Sequence, residues 1–338
     1  LMTAAGFGLL VFAQDFWALV ASRAIAGAGQ GALLIGAQAY AMAAAPPEHR
    51  TRAAAFQVFA YNAGFLCGAS IGGMMYDYGD ADVVIRISLV IGLVVVYMAA
   101  TTPKHMLRLA PDADAAPARK SAPLRAVFSD RGFVLTLGLA GALSKFILAG
   151  VVTFGAPFFL IARGWTADTV GQMLMTFAIA TLVAIPLASR LSDRSGDPGR
   201  TVVLGVFASA AGVMIFSLPL LPPSALFAGV AAGGLGDALC SLGGLILLGL
   251  GQGATAASLI AEIARTRVAE EHGRDATLGV YRLLERGGHI TGPAVIARAG
   301  ASAGSSALFV FGVGVAGCAA LYAVLRPKSD RSSQGAKT

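Results

Sequence analysis

The amino-acid sequence predicts an all-α polytopic membrane protein, and three observations carry that prediction. Of its 338 residues, 56% are hydrophobic and 13% charged, with a mean hydropathy of +0.73; a soluble domain needs more charge on its surface. The apolar residues gather in runs of about 20 or more, enough helix to cross a hydrocarbon core roughly 30 Å thick. The runs also lack the apolar–polar alternation of a barrel strand, which leaves helices to satisfy the backbone in lipid.

Taken in order, ten spans are expected, over residues 1–14, 16–44, 53–76, 82–102, 132–161, 166–188, 200–221, 237–264, 276–297 and 303–325. The first is short and apolar from Leu1 onward, so the chain is expected to be a piece lacking its natural N-terminus. Pro222-Pro223 opens a glycine-rich stretch, an outer loop or a broken helix start. The loops alternate in charge. Segments 46–52, 103–131, 190–200 and 265–275 and the tail from 326 hold 18 of the 25 basic residues, whereas Asp15, Asp77, Asp80, Asp82 and Asp168 lie in the intervening loops. The positive-inside rule then puts the basic loops and the C-terminus in the cytoplasm. That placement accounts for the net charge of +7, and no nucleic-acid partner is expected.

Residues 103–131 are rich in Ala, Pro, Asp and basic side chains, a poor core former. They read as a cytoplasmic linker between four spans in 1–102 and six in 132–325, with 326–338 as a cytoplasmic tail. Cys67, Cys240 and Cys318 are scattered through apolar runs and read as small core residues. No metal site and no cofactor is expected.

A glycine run occurs twice. Gly27-Ala28-Gly29-Gln30-Gly31-Ala32 returns as Gly249-Leu250-Gly251-Gln252-Gly253-Ala254, an offset of 222 residues. Further on, Arg50 answers to Arg274, Gly64 to Gly288, Gly68 to Gly292 and Ala69 to Pro293, at an offset of 224. Two such pieces point to two bundles descended from one unit. Gly64, Gly68 and Gly72, like Gly288 and Gly292, fall four apart on one helix face and let a neighbouring backbone come close. The run at Gly27 mimics part of a dinucleotide fingerprint, but it lies inside a long apolar helix rather than at a strand-to-helix turn.

These residues resemble motifs of the major facilitator superfamily. Arg23-Ala24-Ile25-Ala26-Gly27-Ala28-Gly29-Gln30-Gly31 is similar to the family's RxxxGxGxG motif on helix four. The stretch from Gly64 through Gly68 to Gly72-Gly73 is similar to the antiporter motif GxxxGPxxGG of helix five, with Ala69 in place of the proline. The counterpart Gly288–Pro293 keeps its proline. Ser189-Arg190-Leu191-Ser192-Asp193-Arg194-Ser195-Gly196 resembles the loop motif GxxxDRxGRR between helices eight and nine, with Ser189 for the first glycine and Asp197-Pro198-Gly199-Arg200 for the basic pair. The resemblance implies a two-bundle fold with about ten of twelve helices present, helices three to twelve. It also implies secondary active transport by rocking of the bundles, and a cytoplasmic gate at Asp193, Arg194 and Gly196. For Arg23 it implies proton coupling, the alternative being an anchor snorkelling to the outer interface.

The charges inside the spans are the candidate site. Lys145 lies about 12 residues from the cytoplasmic end of its span. Arg282, Glu285, Arg286 and His289 fall at i, i+3, i+4 and i+7, one stripe of one helix. Charge against lipid costs several kcal/mol per residue, so the stripe is expected to face a cavity that handles substrate or protons. The alternative is an internal salt-bridge network that locks helices together. Tyr61 and Asn62 occupy the equivalent positions in the first half, polar but uncharged. Glu285 and His289 are the candidates for proton exchange.

The resulting expectation is a secondary active transporter, exporting a small solute in exchange for protons, since no GxxxxGK[ST] loop is present to supply ATP. Lys145, Arg282 and Arg286 against Glu285 favour an anionic or zwitterionic solute. The solute, protons and the lipid bilayer are the expected partners of a monomer in a bacterial inner membrane. The rivals are a non-transporting receptor on the same fold and a membrane-embedded enzyme. The sequence shows no nucleophile–base set, and the chain is read as not an enzyme.

Overall fold

The computed structural model describes residues 1–44, 50–101, 123–221, 234–303 and 306–326; the described residues are helical and contain no strand. The stretch opened by Pro222-Pro223, most of the linker and the tail beyond Arg326 lie outside them. The chain divides into two compact units, residues 1–118 and 119–338.

The first unit holds α1 (Met2–Phe12), α2 (Phe16–Ala44) and α3 (Arg50–Thr101). Asp15 starts α2 by accepting a hydrogen bond from the Ala18 amide at 2.8 Å. The two spans expected over 53–76 and 82–102 form one helical run, α3, rather than two helices with a loop. At 1.5 Å per residue, 52 straight residues would reach about 78 Å, far more than a bilayer. The run turns back at Asp80, which takes a left-handed φ of +61°. A Cβ on Gly72 would lie only 3.8 Å from Val84 Cγ1, a distance that a straight helix excludes. Helix α1 packs on both neighbours through small residues. A Cβ at Gly6 would come within 2.6 Å of the Ala26 amide, and one at Gly92 within 3.5 Å of Ala4.

The second unit contains α4 (Leu124–Ser129), α5 (Arg131–Ala162), α6 (Ala167–Ser195), α7 (Pro198–Ser217), α8 (Leu235–Ile263), α9 (Arg267–His272), α10 (Arg274–Ala303) and α11 (Ala307–Leu325). Local chemistry places the ends. Asp130 caps α5, one carboxylate oxygen accepting from the Phe133 amide at 3.0 Å and the other from the Val268 amide of α9 at 2.8 Å. Gly196 ends α6 with a left-handed φ of +66°, a backbone that favours glycine. Asp197 and Pro198 then start α7 at once.

In lipid no hydrophobic force draws helices together, so close packing must do it. Helix α8 supplies it with the second glycine run. A Cβ at Gly249 would lie 2.6 Å from the Phe177 carbonyl oxygen of α6, and one at Gly253 2.5 Å from that of Thr181. Gly251 and Gly244 meet α7 in the same way, at the Gly205 oxygen (2.5 Å) and the Phe216 nitrogen (2.6 Å). On the other side of the unit, Gly288 and Gly292 of α10 press on α5. A Cβ at Gly288 would collide with the Ala142 carbonyl oxygen, and one at Gly292 would lie 2.7 Å from that of Phe146.

Among the described residues, six helices are long and apolar enough to cross a membrane by length and composition: Asp80–Thr101, Arg131–Ala162, Ala167–Ser195, Pro198–Leu220, Leu235–Ile263 and Ala307–Leu325. Large apolar side chains such as Val90, Leu93, Ile179, Leu187, Leu204 and Val310 cover the outside of these helices, as a lipid solvent requires. The protein is an all-α polytopic membrane protein. Helix α10 is 30 residues long but stands outside that set, and the charges it carries make the candidate site.

Candidate functional site

The centre of the site is an ion pair between Lys145 of α5 and Glu285 of α10, Nζ to Oε1 4.0 Å, with the two side chains 26% and 12% exposed. Helix α5 is not regular around it. The stretches Leu137–Ala142 and Ile147–Gly155 are wound as π-helix, on either side of the short α-helical turn that carries Lys145. Such widened turns rotate the side chains that follow and occur often at functional sites. Across from them run Gly288 and Gly292, so the crossing is tight enough for Lys145 to reach Glu285.

The charged stripe of α10 is split by this crossing. Glu285 and Tyr281 are buried toward α5, Arg282 and Arg286 are exposed within the unit, and His289 lies between these extremes. Both arginines and His289 are close enough to Lys145 to act on its charge. Coulomb attraction at 4.0 Å is worth about 4 kcal/mol at an effective dielectric constant near 20, and desolvating each ion costs several kcal/mol. The pair therefore sits near balance, and a new charge beside it can open it.

Two features around the pair have no signal in the sequence pattern. Tyr281, 2% exposed and one helical turn before Glu285, places its ring edge-on to Phe133 (centroids 6.3 Å apart). Next to Lys145, the Ser144 hydroxyl donates to Gln252 Oε1 at 2.8 Å, and Gln252 Nε2 donates to the Ser209 hydroxyl at 3.3 Å. Gln252, the polar member of the glycine run, thus ties α8 to α5 and α7. Its burial between partners accounts for its place in an otherwise apolar motif.

The other candidates lie apart from this cluster. In the first unit Arg23 is exposed, and Tyr61 is half-buried and stacked on Phe65 with centroids 6.5 Å apart. The Asn62 side chain lies outside what the structure describes. Gly29 meets Thr3 of α1, while Cβ atoms at Gly27, Gly31, Gly64 and Gly68 would have open space. Pro293 follows Gly292 inside α10. Asp193 and Arg194 are exposed on the last turn of α6, whereas the neighbouring Asp197 is engaged. Arg326, at the end of α11, grips Asp197 with two hydrogen bonds, 2.6 and 2.9 Å, and Arg265 donates to the Gly196 carbonyl at 2.8 Å. The residues standing where the loop motif has its basic pair thus hold the end of α11.

The Arg326 guanidinium, donating to Asp197, keeps that carboxyl below its ordinary value. A depressed folded-state pKa means that the pair adds stability above the ordinary carboxylate pKa, about 3.9, and loses it as pH falls through the lower folded value. Thermal unfolding in detergent is expected to show Asp197→Asn about 1–2 kcal/mol less stable than wild type at neutral pH. The difference should shrink through the acid range below the ordinary carboxylate pKa. A gap that persists unchanged there assigns the loss to packing rather than charge.

The fold defines a polytopic membrane protein that carries an ion pair inside its second unit. Residues 1–243 match the Major Facilitator Superfamily, and the chain belongs to that family. No curated protein matches the chain.

Proposed function

We propose that the protein is a secondary active transporter that exports a small anionic or zwitterionic solute in exchange for protons, by alternating access. It works as a monomer in a bacterial inner membrane with its C-terminus in the cytoplasm. The observation that carries this reading is the Lys145–Glu285 pair, two opposite charges held 4.0 Å apart inside a helix crossing. Ionisable groups at such depth are costly and mark substrate or proton pathways. Protonation of Glu285 releases Lys145 to meet an anion together with Arg282 and Arg286, and loss of the proton returns Lys145 to Glu285. His289 is the second proton candidate. Arg23, Tyr61 and Asn62 are the first unit's own candidates for substrate or proton handling, and Asp193, Arg194 and Gly196 the cytoplasmic gate.

The test uses purified protein in liposomes loaded with a pH-sensitive dye and offered small carboxylates and amino acids one at a time. At least one is expected to move protons with it in the wild type. Glu285→Gln should cut that proton movement by about a hundredfold, and Lys145→Met should raise the solute concentration needed. Solute binding without flux in the wild type would overturn the transport reading in favour of a receptor. Export of lipophilic cations, lost in Glu285→Gln, would overturn the anionic one.

A further inference from the structure

Helix α4 is short, yet its rotation about its own axis is fixed. Val127 has no exposed surface and packs in a core with Phe133, Ile263, Val268 and Tyr281, and Ala126 lies against that core. At the end of the helix the Asp130 amide donates to the Ala126 and Val127 carbonyls, at 3.2 and 3.4 Å. The Asp130 carboxylate, bound to the Phe133 and Val268 amides, then ties the end of α4 to α5 and α9.

The opposite side of α4 is bare. At about 100° per residue, Leu124 and Phe128 fall about 40° apart and make one apolar strip. Each of the two residues is 55% exposed. The strip has buried Val127 on one flank and Arg125 and Ser129, both exposed, on the other. The order around the helix is therefore protein core, apolar strip, cation. The strip also stands at a defined height, because the membrane-crossing helix α5 starts at Arg131, two residues after α4 ends. Arg131 is exposed as well.

The charge around the strip indicates what covers it. Segment 103–131 holds Lys104, Arg108, Arg119, Lys120, Arg125 and Arg131 against only Asp112, Asp114 and Asp130, and Asp130 is engaged by two backbone amides. Among the described residues neither Arg125 nor Arg131 has an ion-pair partner, whereas Arg267 of α9 pairs with Glu271 at 2.6 Å. Leucine and phenylalanine beside arginine, at the level of the bilayer surface, suit the boundary between acyl chains and headgroups.

We propose that α4 is a membrane-surface anchor that binds anionic phospholipid: Leu124 and Phe128 enter the acyl boundary, and Arg125 and Arg131 take the headgroup phosphates. The guanidinium fork matches phosphate oxygens, and the long arginine stems let both charges stay at the surface while the strip is immersed. Bound there, α4 holds the base of the helix that carries Lys145, whatever solute the protein moves.

The full chain with Phe128→Trp is reconstituted in vesicles of phosphatidylcholine mixed with phosphatidylglycerol, one lipid or the other carrying bromine on its acyl chains. Quenching beyond that of the wild type, which has Trp17 and Trp165, reports the lipid touching position 128. Brominated phosphatidylglycerol is expected to quench at about one-fifth of the mole fraction that brominated phosphatidylcholine needs. Adding Arg125→Gln and Arg131→Gln should remove that preference, and high salt should weaken it. Leu124→Trp should repeat the pattern. All these side chains are exposed, so thermal unfolding in detergent should be unchanged. Equal quenching by the two lipids, indifferent to the arginine changes, would overturn the anionic contact. Absence of quenching by either lipid would mean that protein covers the strip, and quenching that falls as copies per vesicle rise would give the strip to a second copy of the chain. Both results would overturn the anchor.

Discussion

Gly288→Leu is expected to prevent the second unit from assembling. Even a Cβ at this position meets the carbonyl oxygen of Ala142, and the next nearest atoms, Ala142 C and Phe146 N at 2.9 Å, are also backbone. A backbone carbonyl in a helix cannot rotate aside as a side chain can, so the helices must separate. Separation breaks the Lys145–Glu285 pair and opens the Gly150–Gly292 contact four residues on. Overpacking costs about 1–3 kcal/mol where side chains can yield, and more here because they cannot. Gly287 is the internal control. A Cβ there would have nothing within 4 Å, so Gly287→Ala should be neutral or gain about 0.5–1 kcal/mol from the better helix former. The measurement is the yield of folded protein in the membrane and its thermal unfolding in detergent. Equal behaviour of the two variants would mean that α5 and α10 are not packed as described.

The contrast between these neighbours shows what a single sequence can and cannot convey. The all-α membrane fold was legible because bilayer thickness imposes a length on every span and glycines recur at spacings that mark a helix face. The two arms of α3 were legible as spans, and so was the break between residues 76 and 82; what was not legible is that helical winding continues up to a single non-glycine residue, Asp80, with a left-handed φ. In the site, i, i+3, i+4 spacing places Arg282, Glu285 and Arg286 within one broad arc. Which edge of that arc is buried depends on where the partner helix crosses. Gly288 and Gly292 give that edge, and Glu285 lies on it with Tyr281, while both arginines fall outside.

Pairs far apart in the chain were illegible for a different reason. Asp197 and Arg326 are 129 residues apart, and Ser144 and Gln252 are 108 apart. No periodicity links such residues. Asp197 looked like a break in the loop motif, yet it caps α7 and anchors α11. The π-helical turns of α5 were also silent, because no residue pattern in Leu137–Ala142 or Ile147–Gly155 marks them. Burial makes those polar partners consequential: each must be satisfied inside the bundle, so each ties two or three helices together.

Asp237→Asn is expected to cost about 3–5 kcal/mol, the usual consequence of leaving a buried charge without its partner. The residue opens α8 at the end opposite Glu262 and is fully buried. Its Oδ1 accepts from Arg163 Nη1 at 2.5 Å and from the Ser241 hydroxyl at 3.1 Å, and its Oδ2 accepts from Trp165 Nε1 at 3.1 Å. Arg163, just past the end of α5, is only 5% exposed and lies over the Phe216 ring, 5.2 Å from its centroid. The aromatic face and the α8 N-terminus each suit one of the two charges, but neither replaces the ion pair. With Asn at 237, the guanidinium keeps its charge and loses its counter-ion, and the ends of α5 and α8 come apart. Arg163→Met alone should cost less, because a carboxyl at 237 can take up a proton whereas arginine cannot lose one. The double variant Arg163→Met/Asp237→Leu should recover most of the loss, since apolar residues of similar volume often serve a buried site as well as an ion pair does. Thermal unfolding in detergent of wild type, Asp237→Leu, Arg163→Met and the double variant closes the cycle. A coupling near zero would mean that water reaches both charges and that this end of the unit is held by packing alone.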